Sequence, residues 1–151
     1  MSLRGDGVSS YAGCHNHVEA PIDVDNRGVL FLNSRVSKAE ITDGTSFTIF
    51  VGEKTLKRPD SGWMSGTRAT LRNTGTRLNA KRAPGANGGV GADPNDHGAL
   101  FVGGFSSAHP GGANFIFGDG SVRFITESIN PAVYRLLGHR ADGELISDVT
   151  L

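Results

Sequence analysis

Apolar and polar residues alternate in several short runs of the chain, and such runs predict strands. One run covers residues 45–55, TSFTIFVGEKT, in which Phe47, Ile49 and Val51 fall on one face. Phe50 interrupts the polar face of this run, so we expect both faces of the strand to be covered. Further strands are predicted at residues 29–32, at 63–71 and on both sides of the Asp119-Gly120 pair.

Two segments carry the start and stop signals of short helices. Residues 37–44 place Ser37 three positions before Glu40, which is the spacing of a capping box. Residues 130–138 open on an Asn-Pro pair and end on a glycine, which suits the two ends of a helix. Together with five to seven strands, these helices predict a β-rich α+β domain.

Glycine is overrepresented, at 22 of 151 residues, and predicts turns and long loops. The longest candidate loop covers residues 79–99, NAKRAPGANGGVGADPNDHGA, which we expect to be a partly ordered surface excursion and a candidate binding loop. Residues 1–3, MSL, have the form of a short expression tag, which leaves residues 4–151 as a single predicted domain.

The Asp119-Gly120 pair lies between two apolar runs and predicts a β-hairpin. A two-residue type I′ loop would set Phe115 opposite Phe124, within a quartet of apolar side chains on one face. A three-residue loop would set Phe115 opposite Arg123 instead, which is a poorer match. We therefore expect the two-residue loop.

Charges are balanced, with 15 Lys plus Arg against 15 Asp plus Glu, and no basic stripe is present. This balance removes the electrostatic footprint of nucleic-acid binding. No run of about 18 apolar residues and no signal peptide is recognisable in the sequence. The single Cys14 excludes an intramolecular disulfide, and we expect either a small buried side chain or a thiol that pairs between chains.

One polar segment, residues 15–26, has the composition of a metal site. Two His and two Asp are each spaced by two residues, so each pair falls on one face of an extended chain. Such side chains could bind zinc or calcium. Because no third ligand pair is evident, we predict no cofactor and no convergence on one ion by these four residues: His15, His17, Asp23 and Asp25.

The sequence contains no motif for nucleophilic, phosphoryl-transfer or zinc-protease chemistry. Ser106, Ser107 and His109 are close in sequence, but a catalytic triad requires proximity in space. His109 is also separated from Asp119 by a whole predicted strand, so we do not expect a dyad and interpret His109 as an anchor of the incoming loop. The sequence therefore predicts that the protein is not an enzyme.

Two segments resemble the signatures of a large bacterial family of unknown function. Residues 41–54, ITDGTSFTIFVGEK, are similar to its DGTS-x-T-I-x-x-GE signature, and residues 105–125, FSSAHPGGANFIFGDGSVRFI, are similar to its C-terminal H-x9-DG signature. That family is prepilin-like, with a prepilin-type processing-associated C-terminal domain, and is also labelled solute-binding protein family 10. The matching positions, which we interpret as structural, are Asp43, Gly44, Gly52, Glu53, His109, Asp119 and Gly120.

The resemblance implies an antiparallel-sheet head of the pilin or pseudopilin type. Members carry a leader and a long apolar helix before the head, and we expect both to be missing from this chain. The protein would then be an exported structural subunit on the extracellular face of the cell envelope. It would bind other pilin-like subunits or envelope proteins, and would meet the membrane only through that helix. The alternative is an extracellular module that binds a metal ion, a sugar or another small solute.

If the helix is missing, the surface against which it packs should be exposed on the head. The sheet is predicted to be apolar on both faces while the helices are few and short, so an exposed apolar groove should remain where the helix would pack. We predict that this groove lies near Phe31, Phe47, Ile49 and Phe50.

Overall fold

A computed structural model describes residues 8–56, 67, 69–80, 100–144 and 146. The predicted tag at residues 1–3, Trp63 and most of the 79–99 loop lie outside the described residues. Of the predicted strand at 63–71, Thr67, Ala69 and Thr70 are described and form a bend and a turn, and only Leu71 belongs to a strand. Among the described segments, no helix has the length and apolar character needed to cross a bilayer. The described strands are β1 (Tyr11–Asn16), β2 (Ile49–Glu53), β3 (Leu71–Asn73), β4 (Gly112–Phe117) and β5 (Val122–Thr126).

One α-helix, α1 (Pro131–Leu137), follows the strands, and it begins as the sequence predicts. The Asn130 side chain accepts a hydrogen bond from the Ala132 N–H at 2.8 Å. The other predicted helix is only a single 3-10 turn, Lys38–Glu40, although its capping box is present. A second 3-10 turn, Thr45–Phe47, precedes β2. The β-rich α+β prediction is therefore confirmed, with one α-helix in the described part of the chain instead of two.

The five strands form one mixed sheet in the order β3-β1-β2-β4-β5. Three neighbouring pairs are antiparallel, but β3 runs parallel to β1. The expectation of an antiparallel sheet is thus wrong at this edge. The reason is chain path, because β1 and β3 are not joined by a hairpin and more than fifty residues separate them.

β1 is a strand that the sequence pattern does not reveal. All five residues from Ala12 to Asn16 are buried, so no polar face alternates with an apolar one. The prediction of a strand at 29–32 is wrong, because this segment is irregular and forms no ladder with β1. The N–H groups of Val29 and Leu30 both donate to the Cys14 carbonyl oxygen, at 3.2 and 3.1 Å.

The sheet has a core face, covered by α1, and an outer face. The buried cluster on the core face includes Cys14, whose thiol pKa burial raises to about 12, so this cysteine is a buried side chain as expected. A bulge at Phe50 in β2 changes the face of the following residues: Ile49 pairs with core-facing Phe117, whereas Val51 pairs with outward-facing Ile116. The simple alternation predicted for Ile49 and Val51 is therefore wrong.

The hairpin between β4 and β5 forms the three-residue loop, so the predicted register is wrong. Phe115 pairs with Arg123, and Gly120 N–H donates to the Phe117 carbonyl at 2.9 Å. A type I′ loop needs positive φ at both central residues, but Gly120 has φ +84° whereas Asp119 is not among the described residues with positive φ. The Arg123 guanidinium lies 4.5 Å from the centre of the Phe117 ring. This cation–π contact compensates for placing a charged residue opposite Phe115.

Gly52 leaves room for the ring of Phe115, its partner on the neighbouring strand β4. A Cβ atom at this position would lie 2.5 Å from two ring carbons of Phe115 and 2.7 Å from Phe105. We predict that Gly52→Ala lowers the free energy of unfolding by about 1–3 kcal/mol, as overpacking does. Denaturant unfolding measures the loss, and the double variant Gly52→Ala/Phe115→Leu should lose less than the sum of its single variants. Wild-type stability in Gly52→Ala would contradict this packing.

Candidate functional site

The two signature segments, 41–54 and 105–125, lie side by side because β2 pairs with β4. At one end of this pair, Gly118 N–H donates to the Thr48 carbonyl at 3.0 Å and Asp119 N–H donates to the Thr45 carbonyl at 3.2 Å. The turn before β2 is thus bonded to the turn after β4. The segments that resemble one family in sequence form one structural unit here.

Glu53 joins the same two segments at the opposite end of β2. Its Oε2 accepts the Asn114 N–H at 2.7 Å, and its Oε1 lies 3.2 Å from His109 Nε2. Burial raises the pKa of Glu53, but hydrogen bonds from Asn114 and Ser107 and the nearby His109 outweigh it, so the pKa lies below its usual value. His109 therefore anchors its loop through a carboxylate, and not through a backbone group.

These contacts do not form a catalytic triad. Ser107 donates its hydroxyl hydrogen bond to the Glu53 carboxylate, so the imidazole of His109 is not its base. Asp119 lies at the other end of β4, where its Oδ1 accepts from the N–H and the hydroxyl of Ser121 at 2.9 and 2.7 Å. The Ser121 contacts lower the pKa of Asp119 to about 2, with Ser46 and Arg123 adding to the effect.

Asp43 fastens the segment that follows α1. Its carboxylate accepts the N–H groups of Asp142 and Gly143 at 2.7 and 2.9 Å. Gly44 follows with φ +95°, which the turn into β2 requires. Asp43, His139 and Asp142 are also the only described group of three metal-ligating residues whose ligand atoms lie within 4.8 Å of one another.

The hydrogen bonds of this group argue against a metal centre. His139 Nδ1 accepts the Ala141 N–H at 2.9 Å, so the lone pair that an ion would need is already used. Burial lowers the pKa of His139 and outweighs the raising effect of Asp142 and Asp43. His17 stacks edge-on against His139 with ring centres 4.6 Å apart, and burial together with His139 lowers the pKa of His17.

The four predicted metal candidates do not bring their ligand atoms together in the described part of the chain. His15 Nδ1 lies 2.9 Å from Asn26 Oδ1, which also accepts the Asp23 N–H, and burial lowers the pKa of His15. The Asp23 carboxylate accepts the N–H of Val24, and Asp25 is exposed. In the part of the chain described, no group of ligand atoms brings these residues together.

Glu19 has a role that the sequence does not signal. Its Oε1 accepts the Val102 N–H at 2.8 Å, and its Oε2 accepts the Gly103 N–H at 2.9 Å and the side chains of Asn73 and Thr76. It ties the end of β3 to the segment before β4. A single acidic residue in a polar stretch gives no pattern from which these contacts could be predicted.

An open apolar groove of about 680 Å³ lies on the outer face of the sheet. Ile49 is fully buried in the core, and Phe31, Phe47 and Phe50 do not line this groove either, so the predicted position of the groove is wrong. The groove walls instead include Leu30 and Val51, the chain neighbours of Phe31 and Phe50. The residues that line it include Val8, Tyr11, Gly13, Leu30, Val51 and Thr70.

A family model described as "Protein of unknown function (DUF1559)" matches residues 2–132. The matched region contains all five described strands and ends at the start of α1. No curated protein matches the chain. No solved structure matches it.

The Glu53 contacts make a prediction about pH. Because the pKa of Glu53 is lowered in the folded state, its stabilising effect is present above the unfolded pKa near 4.5 and is lost as pH falls through the folded value. Glu53→Gln should lower the free energy of unfolding by about 1 kcal/mol at neutral pH, and this deficit should shrink below pH 4.5.

Denaturant unfolding across a pH series measures this difference. Glu144→Gln, at an exposed position, is the matched control and should leave the wild-type pH profile unchanged. A Glu53→Gln deficit that stays constant down to pH 3 would show that the charged carboxylate does not stabilise the fold.

Proposed function

We propose that this chain, which belongs to the family described as Protein of unknown function (DUF1559), is the globular head of an exported, pilin-like structural subunit. In this proposal the protein acts by association and is not an enzyme. It works in the cell envelope, on the extracellular face, and is held there by an apolar N-terminal helix.

The apolar outer face of the sheet is the observation that carries the proposal. Tyr11 and Ile116 are 46% and 37% exposed on neighbouring parts of this face, and Val51 lies between them. An apolar surface of this kind on one side of a sheet is typical of a surface that packs against another element. The signature segments meanwhile supply the paired strands β2 and β4 at the centre of this sheet.

The position of Val8 supports a helix as the element that packs there. Val8 and Ser9 line the groove, so a helix joined upstream of Val8 would have its C-terminal end within reach of it. The apolar stripe of such a helix could bury Leu30 and Val51, and its opposite face could contact other pilin-like subunits. The membrane would be met only through the helix.

The alternative of a solute-binding module rests on the size of the groove. Small-molecule sites span about 300–1,000 Å³, and the groove falls in this range. Its lining is uncharged, however, with hydroxyl groups only on Ser9, Tyr11 and Thr70, and the groove is open, whereas small-molecule sites bury most of the ligand's surface. A sugar or a metal ion is therefore a poorer match to this surface than an apolar segment.

The proposal is tested in the organism that encodes the chain, with antibodies raised against it. We expect the gene product in the membrane fraction and in material sheared from the cell surface. Val51→Asp should reduce the sheared material several-fold, because it places a carboxylate in the groove. Val24→Asp is the matched control, since Val24 is exposed and does not line the groove.

Two results would contradict the proposal. A gene product found only in the cytoplasm would exclude an exported subunit. Equal amounts of sheared material from Val51→Asp and Val24→Asp cells would show that the groove is not a packing surface.

A further inference from the structure

Most backbone groups on the outer edge of β5 have no partner among the described residues. The exception is the Thr126 carbonyl, which accepts the Ile129 N–H at 3.1 Å. Phe117 N–H donates to Ser121 and Glu127 N–H donates to Gly111, so residues 121, 123, 125 and 127 bond toward β4. Hydrogen-bonded and non-bonded pairs alternate in an antiparallel ladder. Val122, Phe124 and Thr126 therefore direct their N–H and C=O groups away from the sheet.

This edge has few of the features that prevent strand pairing. It contains no proline and no lysine, and Val122 and Phe124 are 64% and 41% exposed. Its residues, VRFIT, are mostly β-branched or aromatic, as in strands that pair well. Long apolar edges of this kind are templates for another strand. At the opposite edge, β3 is partly covered, because Asn73 forms a bridge with Gly104.

The charged residues at this edge favour one orientation of a partner strand. Arg123 lies near one end of β5 and Glu127 lies just beyond the other, both with side chains on the side of Ile125. A parallel copy would set like charges together. An antiparallel copy with its two-fold axis at Ile125 sets each Arg123 opposite Glu127 of the other copy, and pairs Phe124 with Thr126. Within the chain, Arg123 stacks on Phe117 at 4.5 Å and donates to the Ser121 hydroxyl at 3.2 Å, with Asp119 at 3.5 Å. Glu127 accepts from Asn79 at 3.3 Å, and the intermolecular pairs would add to these contacts.

We propose that β5 is a homodimer interface, in which two copies of this chain join antiparallel edges into a ten-stranded sheet. Each Thr126 N–H donates to the Phe124 carbonyl of the other copy, and each Phe124 N–H donates to a Thr126 carbonyl that also accepts the Ile129 N–H. The outer apolar faces become continuous. The interface does not depend on the proposed envelope function, because it uses the sheet edge and not the groove.

Sedimentation equilibrium of the purified chain over a concentration series tests this interface. The wild type should show a monomer–dimer equilibrium. Arg123→Glu and Glu127→Arg should each weaken the dimer roughly tenfold or more, because each places like charges opposite one another twice. Mixed in equal amounts, these two variants should form a heterodimer, since every 123–127 pair is then complementary.

A backbone variant tests the hydrogen bonds independently of charge. Phe124→Pro removes an N–H that points away from β4, so it should abolish the dimer while the ladder with β4 stays intact. Thermal unfolding establishes that each variant is folded. A wild type that is monomeric throughout would overturn the proposal, as would an Arg123→Glu dimer of wild-type strength or a variant mixture that does not associate.

Discussion

The antiparallel pairing of β2 with β4 is the contact on which the rest of the structure depends. It places the turn at Thr45–Thr48 against Gly118 and Asp119 at one end, and Glu53 against Asn114 and His109 at the other. β1 then joins one side of this pair and β5 the other. Without either end contact, the register of β2 against β4 would be poorly defined, because the bulge in β2 interrupts the alternation of its two faces.

The bulge at Phe50 turns this pairing into a sheet with two different faces. Before the bulge, β2 contributes Ile49 to the core beneath α1, and after it β2 contributes Val51 to the outer face. One apolar strand can therefore supply both a stable core and an exposed apolar surface. The proposed helix-packing groove follows from this arrangement, because it lies on the face of the sheet opposite the core.

The elements with strong local signals could be predicted from the sequence. The Asn130 cap fixes the start of α1, and Asp119-Gly120 fixes the place of the hairpin. The hairpin register could not be predicted from apolar matching, because the φ of Asp119 and the stacking of Arg123 on Phe117 outweigh it.

Long-range contacts leave no comparable signal in the sequence. β1 is buried on both faces and contains polar residues, so its sequence does not show the apolar–polar alternation of a strand. The parallel strand β3 has only three residues, which is too short for a recognisable pattern. The signature residues were interpretable as structural, but nothing in their spacing placed Glu53 beside His109. That contact depends on how β2 and β4 align, which is a property of the folded sheet.

Native-state hydrogen exchange of two amides tests most directly whether the signature segments act as one unit. Asn114 N–H is bound by Glu53 at one end of the β2–β4 pair, and Gly118 N–H is bound by Thr48 at the other. If the segments act as one unit, both amides should open with the same free energy, and Glu53→Gln should lower that free energy equally for both. Faster exchange at Asn114 with unchanged exchange at Gly118 would contradict it, because the two ends would then open independently.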